Sequence, residues 1–88
     1  NCLLDFETTW CGPCKTMDQL VYTADTVVVA AKNIVSVKID GDEHRDLVKK
    51  YSVTGYPSLI LISPDGKVLK RASGYQSVSD VVKFLQSQ

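Results

Sequence analysis

Cys11 and Cys14, separated by Gly12-Pro13 and preceded by Trp10, are the residues of this chain best suited to chemistry. Two cysteines at this spacing, placed where a strand turns into a helix, read as a dithiol redox centre. At a helix N-terminus, free backbone N–H groups and the helix dipole stabilise a thiolate. That lowers the pKa of Cys11 and supplies a nucleophile at neutral pH. Cys14 lies one turn further on the same helix face. It can therefore attack the mixed disulfide formed at Cys11 and release the product. Gly12 leaves room for a substrate chain, and Pro13 fixes the backbone between the two sulfurs. The rival chemistry is half of a zinc site, which needs two further ligands. Only Cys2 and His44 remain, and His44 sits in a polar helix start that reads as surface. Asp40-Gly41-Asp42 has the look of a calcium loop, but the other ligands of such a loop are absent. No metal and no cofactor is expected.

The elements that must position this pair are legible. Cys2 to Glu7 is apolar on both parities apart from Asp5, the pattern of a strand buried on both faces. Thr8 to Pro13 breaks the pattern, and a helix opens at Pro13, where a missing N–H costs nothing. Met17, Leu20, Val21 and then Val27, Val28, Ala31 recur at helical spacing, interrupted at Thr23-Ala24-Asp25, so a kink or two helices is expected. Ile34 to Ile39 is a second strand. Asp40-Gly41-Asp42 is a turn and N-cap for a short helix over Glu43 to Tyr51. Ser58 to Ser63 and Lys67 to Ala72 form a hairpin around Pro64-Asp65-Gly66. Ser77 to Gln86 closes the chain with a helix whose Val78, Val81, Val82 and Leu85 share a face. This order predicts an α/β domain with a mixed sheet flanked by helices on both faces.

Composition bounds the rest. The chain has 88 residues, enough for a single domain over 1–88, and ten Lys+Arg balance ten Asp+Glu. Zero net charge argues against nucleic acid and against a polybasic membrane contact. The longest apolar runs, Val27 to Ala31 and Leu59 to Ile62, are far short of a membrane span, so no insertion by this domain is expected. Three cysteines, an odd number, do not make a disulfide framework. The chain starts at Asn1 without Met and reads as trimmed, so its targeting is open.

Taken together, Asp5-Phe6, Trp10-Cys11-Gly12-Pro13-Cys14-Lys15, Gly55-Tyr56-Pro57, Asp65-Gly66-Lys67 and Gly74 make the chain resemble the thioredoxin-like superfamily over nearly its whole length. Lys15 to Val27, Ser63 to Val68 and Gly74-Tyr75 are closer to the extracytoplasmic branch, which includes the domains of bacterial thiol:disulfide interchange proteins. The resemblance implies a thioredoxin fold with a four-stranded mixed sheet, lacking the family's usual N-terminal strand and helix. It implies a monomeric thiol:disulfide oxidoreductase or electron carrier in cell redox homeostasis, working outside the cytoplasm. Its partners would be protein disulfides or dithiols and an upstream thiol reductant. The Gly-Pro dipeptide matches reducing members, with oxidase or isomerase work as the alternative. A non-catalytic binding module on the same scaffold is the other rival, although such modules generally lose a cysteine.

Residue by residue, the resemblance implies that Cys11 attacks, Cys14 resolves, and Asp5 is the buried acid that takes the Cys14 proton. It implies a cis Tyr56–Pro57 bond, with the Tyr56 backbone pairing with an extended substrate segment. Trp10, Gly12, Pro13, Tyr56 and Gly74-Tyr75 would form an apolar collar suited to protein disulfides, and Pro57, also counted as substrate-binding, would lie against the dithiol. Glu7 stands where thioredoxin itself carries a tryptophan. It shares strand parity with Asp5, yet at the strand end it is expected to point to solvent. Gln19 replaces the family's mid-helix proline. Cys2 is expected to be a buried, inert bystander.

Overall fold

A computed structural model describes residues 1–86. Strand β1 (Cys2–Glu7) lies inside a four-stranded sheet of order β2-β1-β3-β4, with β2 (Val35–Asp40), β3 (Ser58–Ile62) and β4 (Val68–Ser73). β1 runs parallel to β2 and antiparallel to β3, and β3 and β4 form the expected hairpin. Strand alternation sorts the apolar residues into two cores. Leu3, Leu59 and Leu61 meet Met17 and Val21 from α1 (Gly12–Leu20) and the segment just after it, Val27 from α2 (Asp25–Ala30), and Val81 and Leu85 from α4 (Val78–Gln86). On the other face Leu4, Phe6, Ile39 and Ile60 pack with Leu47 and Val48 of α3 (Arg45–Lys50). Helices thus cover both faces of the central strands. Burying each such side chain contributes roughly 1.5–3 kcal/mol.

The interruption at Thr23-Ala24-Asp25 does yield two helices. The N–H groups of Val21 and Tyr22 both converge on the Met17 carbonyl at 2.9 Å, and the Thr23 hydroxyl donates to the Gln19 carbonyl at 2.7 Å. The helix after β2 starts later than expected. Asp40 Oδ1 accepts from the Asp42 N–H at 2.9 Å, and the Asp40 carbonyl accepts from Glu43 and His44, so 40–44 closes on itself. The N-cap of α3 is consequently His44, not an aspartate, and its side chain makes no capping bond. A short polar side chain bonding its own backbone competes with the cap it would otherwise provide. Helical cover also stops short of β2. Val35 is 66% and Val37 41% exposed on this edge strand, beside an apolar groove of about 320 Å³ lined by Leu3, Val27, Val28, Ala31, Val37 and Leu85. No helix among the described residues is long and apolar enough to cross a membrane.

Candidate active site

β1 and β2 are parallel and β3 runs against them, so the end of β1, the end of β2 and the start of β3 meet at one edge of the sheet. The β1–α1 loop is closed by the Cys11 N–H, which donates to the Thr8 carbonyl at 3.3 Å. Cys11 is the N-cap of α1, in extended conformation, and Pro13 sits in the first turn. The Cys14 N–H points at Cys11 Sγ, 3.1 Å away. An N–H of the first turn is thereby aimed at the sulfur that must carry negative charge once reduced. The two cysteines form a disulfide with Cα atoms 5.3 Å apart, and both are buried in this oxidised state, at 4% and 3% exposure. Cys2 is a half-buried free thiol, packed beside the Leu4–Phe6 core.

The Tyr56–Pro57 bond is cis and Pro57 is buried. Because Ser58 pairs with Phe6, Pro57 falls beside the end of β1, where the chain turns towards Cys11. The Gly74 N–H donates to the Pro57 carbonyl at 2.8 Å, and Gly74 has φ +83°, a conformation that suits glycine. Trp10 is exposed, and its ring meets Tyr56 edge-on with centroids 5.7 Å apart. Gly12, Pro13 and Tyr75 are exposed as well.

Asp5 is buried on the face that carries Leu3, opposite Lys38 in the β1–β2 register. Burial, and then the neighbouring Glu7 and Asp18 carboxylates, push its pKa up to about 7, against an opposing pull from Lys38. One carboxylate oxygen from each of Asp5, Glu7 and Asp18 lies within 4.8 Å of the other two. Glu7 therefore does not point away to solvent as expected. Strand parity turns it towards Asp18 on α1, and partial burial, the Asp18 charge and a hydrogen bond with Asp18 raise its pKa. Lys38 Nζ sits 2.9 Å from Asp18 Oδ1 and already neutralises part of the cluster, and that bond raises the lysine's own pKa. The Tyr22 hydroxyl is buried near these acids without a hydrogen-bond partner among the described residues, and burial raises its pKa too.

Two participants were missed in the sequence. Asp18 had a signal, because it follows Cys14 by four residues and so shares its helix face. Asp42 had none. Its Oδ2 accepts from the Trp10 indole N–H at 2.8 Å, across 32 residues that only the β1–β2 pairing brings together.

Comparison with known proteins agrees with this geometry. The family model described as thioredoxin matches residues 1–87. A protein disulfide-isomerase of Schizosaccharomyces pombe is 31% identical over 98% of this chain and 24% of its own length. The thiol:disulfide interchange protein DsbD of Pseudomonas fluorescens is 34% identical over 96% of this chain and 15% of its own length. The chain thus spans a quarter or less of these two curated relatives. Among solved structures, oxidised mitochondrial thioredoxin 3 of Saccharomyces cerevisiae superposes with TM-score 0.81 at 30% identity, covering 99% of this chain and 77% of that one. A mutant thioredoxin of Halobacterium salinarum gives TM-score 0.78 at 31% identity, covering 98% and 72%.

Proposed function

The chain belongs to the thioredoxin family, and from that premise we propose that it exchanges disulfides with protein substrates through Cys11 and Cys14, in the reducing direction. The observation that carries this is the Cys11–Cys14 disulfide at the N-terminus of α1, with the Cys14 N–H aimed at Cys11 Sγ. In the reduced protein the Cys11 thiolate attacks a substrate disulfide, forming a mixed disulfide and expelling one substrate thiolate. Cys14 then loses its proton and attacks Cys11 Sγ, expelling the second substrate thiolate and closing the Cys11–Cys14 bond. Two electrons pass from the domain to the substrate, and an upstream thiol reductant restores the dithiol. Asp5, with its pKa raised to about 7, is suited to take the Cys14 proton and return it to solvent in each cycle. Trp10, Gly12, Pro13, Tyr56, Gly74 and Tyr75 form the surface offered to an extended substrate segment around its cysteine, while the Pro57 ring, also expected to bind substrate, is buried.

The trapping experiment tests these roles. Cys14→Ser accumulates a mixed disulfide with substrate through Cys11, and Cys11→Ser does not. Trapping by Cys11→Ser instead, or by neither variant, refutes the assignment. Direction is a separate matter, because isomerases as well as thioredoxins are among the similar proteins. The reduction potential of the pair decides it. A value near that of thioredoxins, about −270 mV, supports a reductase, and one near about −180 mV supports isomerase work. Monomeric action outside the cytoplasm belongs to the same proposal. The location, but not the monomeric state, draws support from the likeness to an interchange protein.

A further inference from the structure

Trp10 is the largest exposed side chain beside the dithiol, at 66% exposure, and an exposed indole on a loop has few contacts to hold it. Here it has two. Its Nε1–H donates to Asp42 Oδ2 at 2.8 Å, and its ring meets Tyr56 at 88°. The turn that supplies Asp42 is itself anchored. The Gly41 N–H donates to the Glu7 carbonyl at 2.8 Å, tying the turn to the end of β1, and Asp40 Oδ1 holds the Asp42 N–H at 2.9 Å. Gly41 is buried beneath the Tyr56 ring, so close that a Cβ at this position would collide with the ring. The turn after β2 therefore fixes both aromatic rings, Trp10 by a charge-assisted hydrogen bond and Tyr56 by contact.

We propose that Asp42 is a positioning residue for substrate docking: it locks the Trp10 indole against Tyr56, so that the surface around Cys11 is ordered before a protein disulfide arrives. This rests on the exchange function proposed above. A bound polypeptide spans the indole, so an indole ordered in advance removes part of the cost of ordering the interface. A small disulfide reaches the sulfur without spanning it. The effect belongs in KM for protein substrates and not in the chemistry of the dithiol.

Trp10 is the only tryptophan in the chain, so intrinsic fluorescence reports on it alone. Three variants are compared with the parent: Asp42→Ala, Asp42→Asn, which keeps an oxygen acceptor for the indole, and Gly41→Ala, which displaces the Tyr56 ring. The readouts are steady-state anisotropy of the indole, KM and kcat for reduction of insulin, and the rate with dithiobis(nitrobenzoate). Asp42→Ala lowers the anisotropy and raises KM for insulin about three- to tenfold, the scale of one hydrogen bond, with kcat within about twofold. Asp42→Asn restores both, and Gly41→Ala moves both in the direction of Asp42→Ala. Unchanged anisotropy in Asp42→Ala overturns the proposal. So does a fall in kcat with KM unchanged, or an Asp42→Asn variant that behaves like Asp42→Ala. A parent protein that reduces neither disulfide refutes the exchange function instead, and the anisotropy arm still decides whether Asp42 holds the indole.

Discussion

Replacing Asp5 with Asn removes one titrating group and little volume, and it should change how stability depends on pH. The folded pKa is about 7 against 3.8 for an ordinary aspartate. Between those values the folded protein holds a proton that the unfolded chain has released. The contribution of Asp5 to stability is therefore complete below about pH 4 and is lost as pH rises through about 7. A tenfold difference in proton affinity is worth about 1.4 kcal/mol, so the full penalty for ionising Asp5 in place is roughly 4 kcal/mol. About 3 kcal/mol of it falls between pH 5 and pH 8.5. The assay is denaturant unfolding of the oxidised parent and of Asp5→Asn at both pH values. Oxidation matters because neither Cys11 nor Cys14 titrates while they are bonded to each other. The advantage of Asp5→Asn over the parent should grow by about 3 kcal/mol from the lower pH to the higher. Using the change in the difference cancels any fixed cost of burying an amide. A difference that stays constant within about 0.5 kcal/mol refutes the claim that Asp5 is buried beside like charges.

Other outcomes follow from the same structure. Asp5→Asn should slow release from the mixed disulfide by at least about tenfold while single-turnover attack by Cys11 on substrate continues, as rapid-mixing kinetics would show. Lys38→Met removes the cation that opposes the rise at Asp5, so a carboxyl NMR titration should find the Asp5 midpoint displaced to higher pH than in the parent. Phe6→Ala opens a cavity at a fully buried ring and should cost about 3–5 kcal/mol in denaturant unfolding. At the start of α4 the Asp80 N–H donates to Ser77 Oγ at 3.2 Å, and the Ser77 N–H to Asp80 Oδ2 at 3.3 Å. Losing this reciprocal cap in Ser77→Ala should cost about 1 kcal/mol by the same measurement.

Local pattern by itself determined the redox pair, the order of the elements and the apolar faces. These depend on spacing along the chain, which is two residues per repeat in a strand and 3.6 in a helix. The Cys11–Cys14 pair at the start of α1, the Ser77 start of the last helix and the break at Thr23 were all readable in this way. The resemblance supplied the cis bond before Pro57, which local propensity alone does not favour. Tertiary structure decided what depends on which strands become neighbours. Glu7 reads as an exposed strand end until α1 folds back and sets Asp18 against it. Asp42 reads as a turn residue until β2 lies parallel to β1 and delivers it to Trp10. Ile34 to Ile39 reads as a strand, but only the sheet order puts β2 at the edge and leaves Val35 and Val37 exposed. In each case the deciding quantity is a through-space distance between groups far apart in sequence. Such distances set the charge around Asp5 and the order of the surface around Cys11.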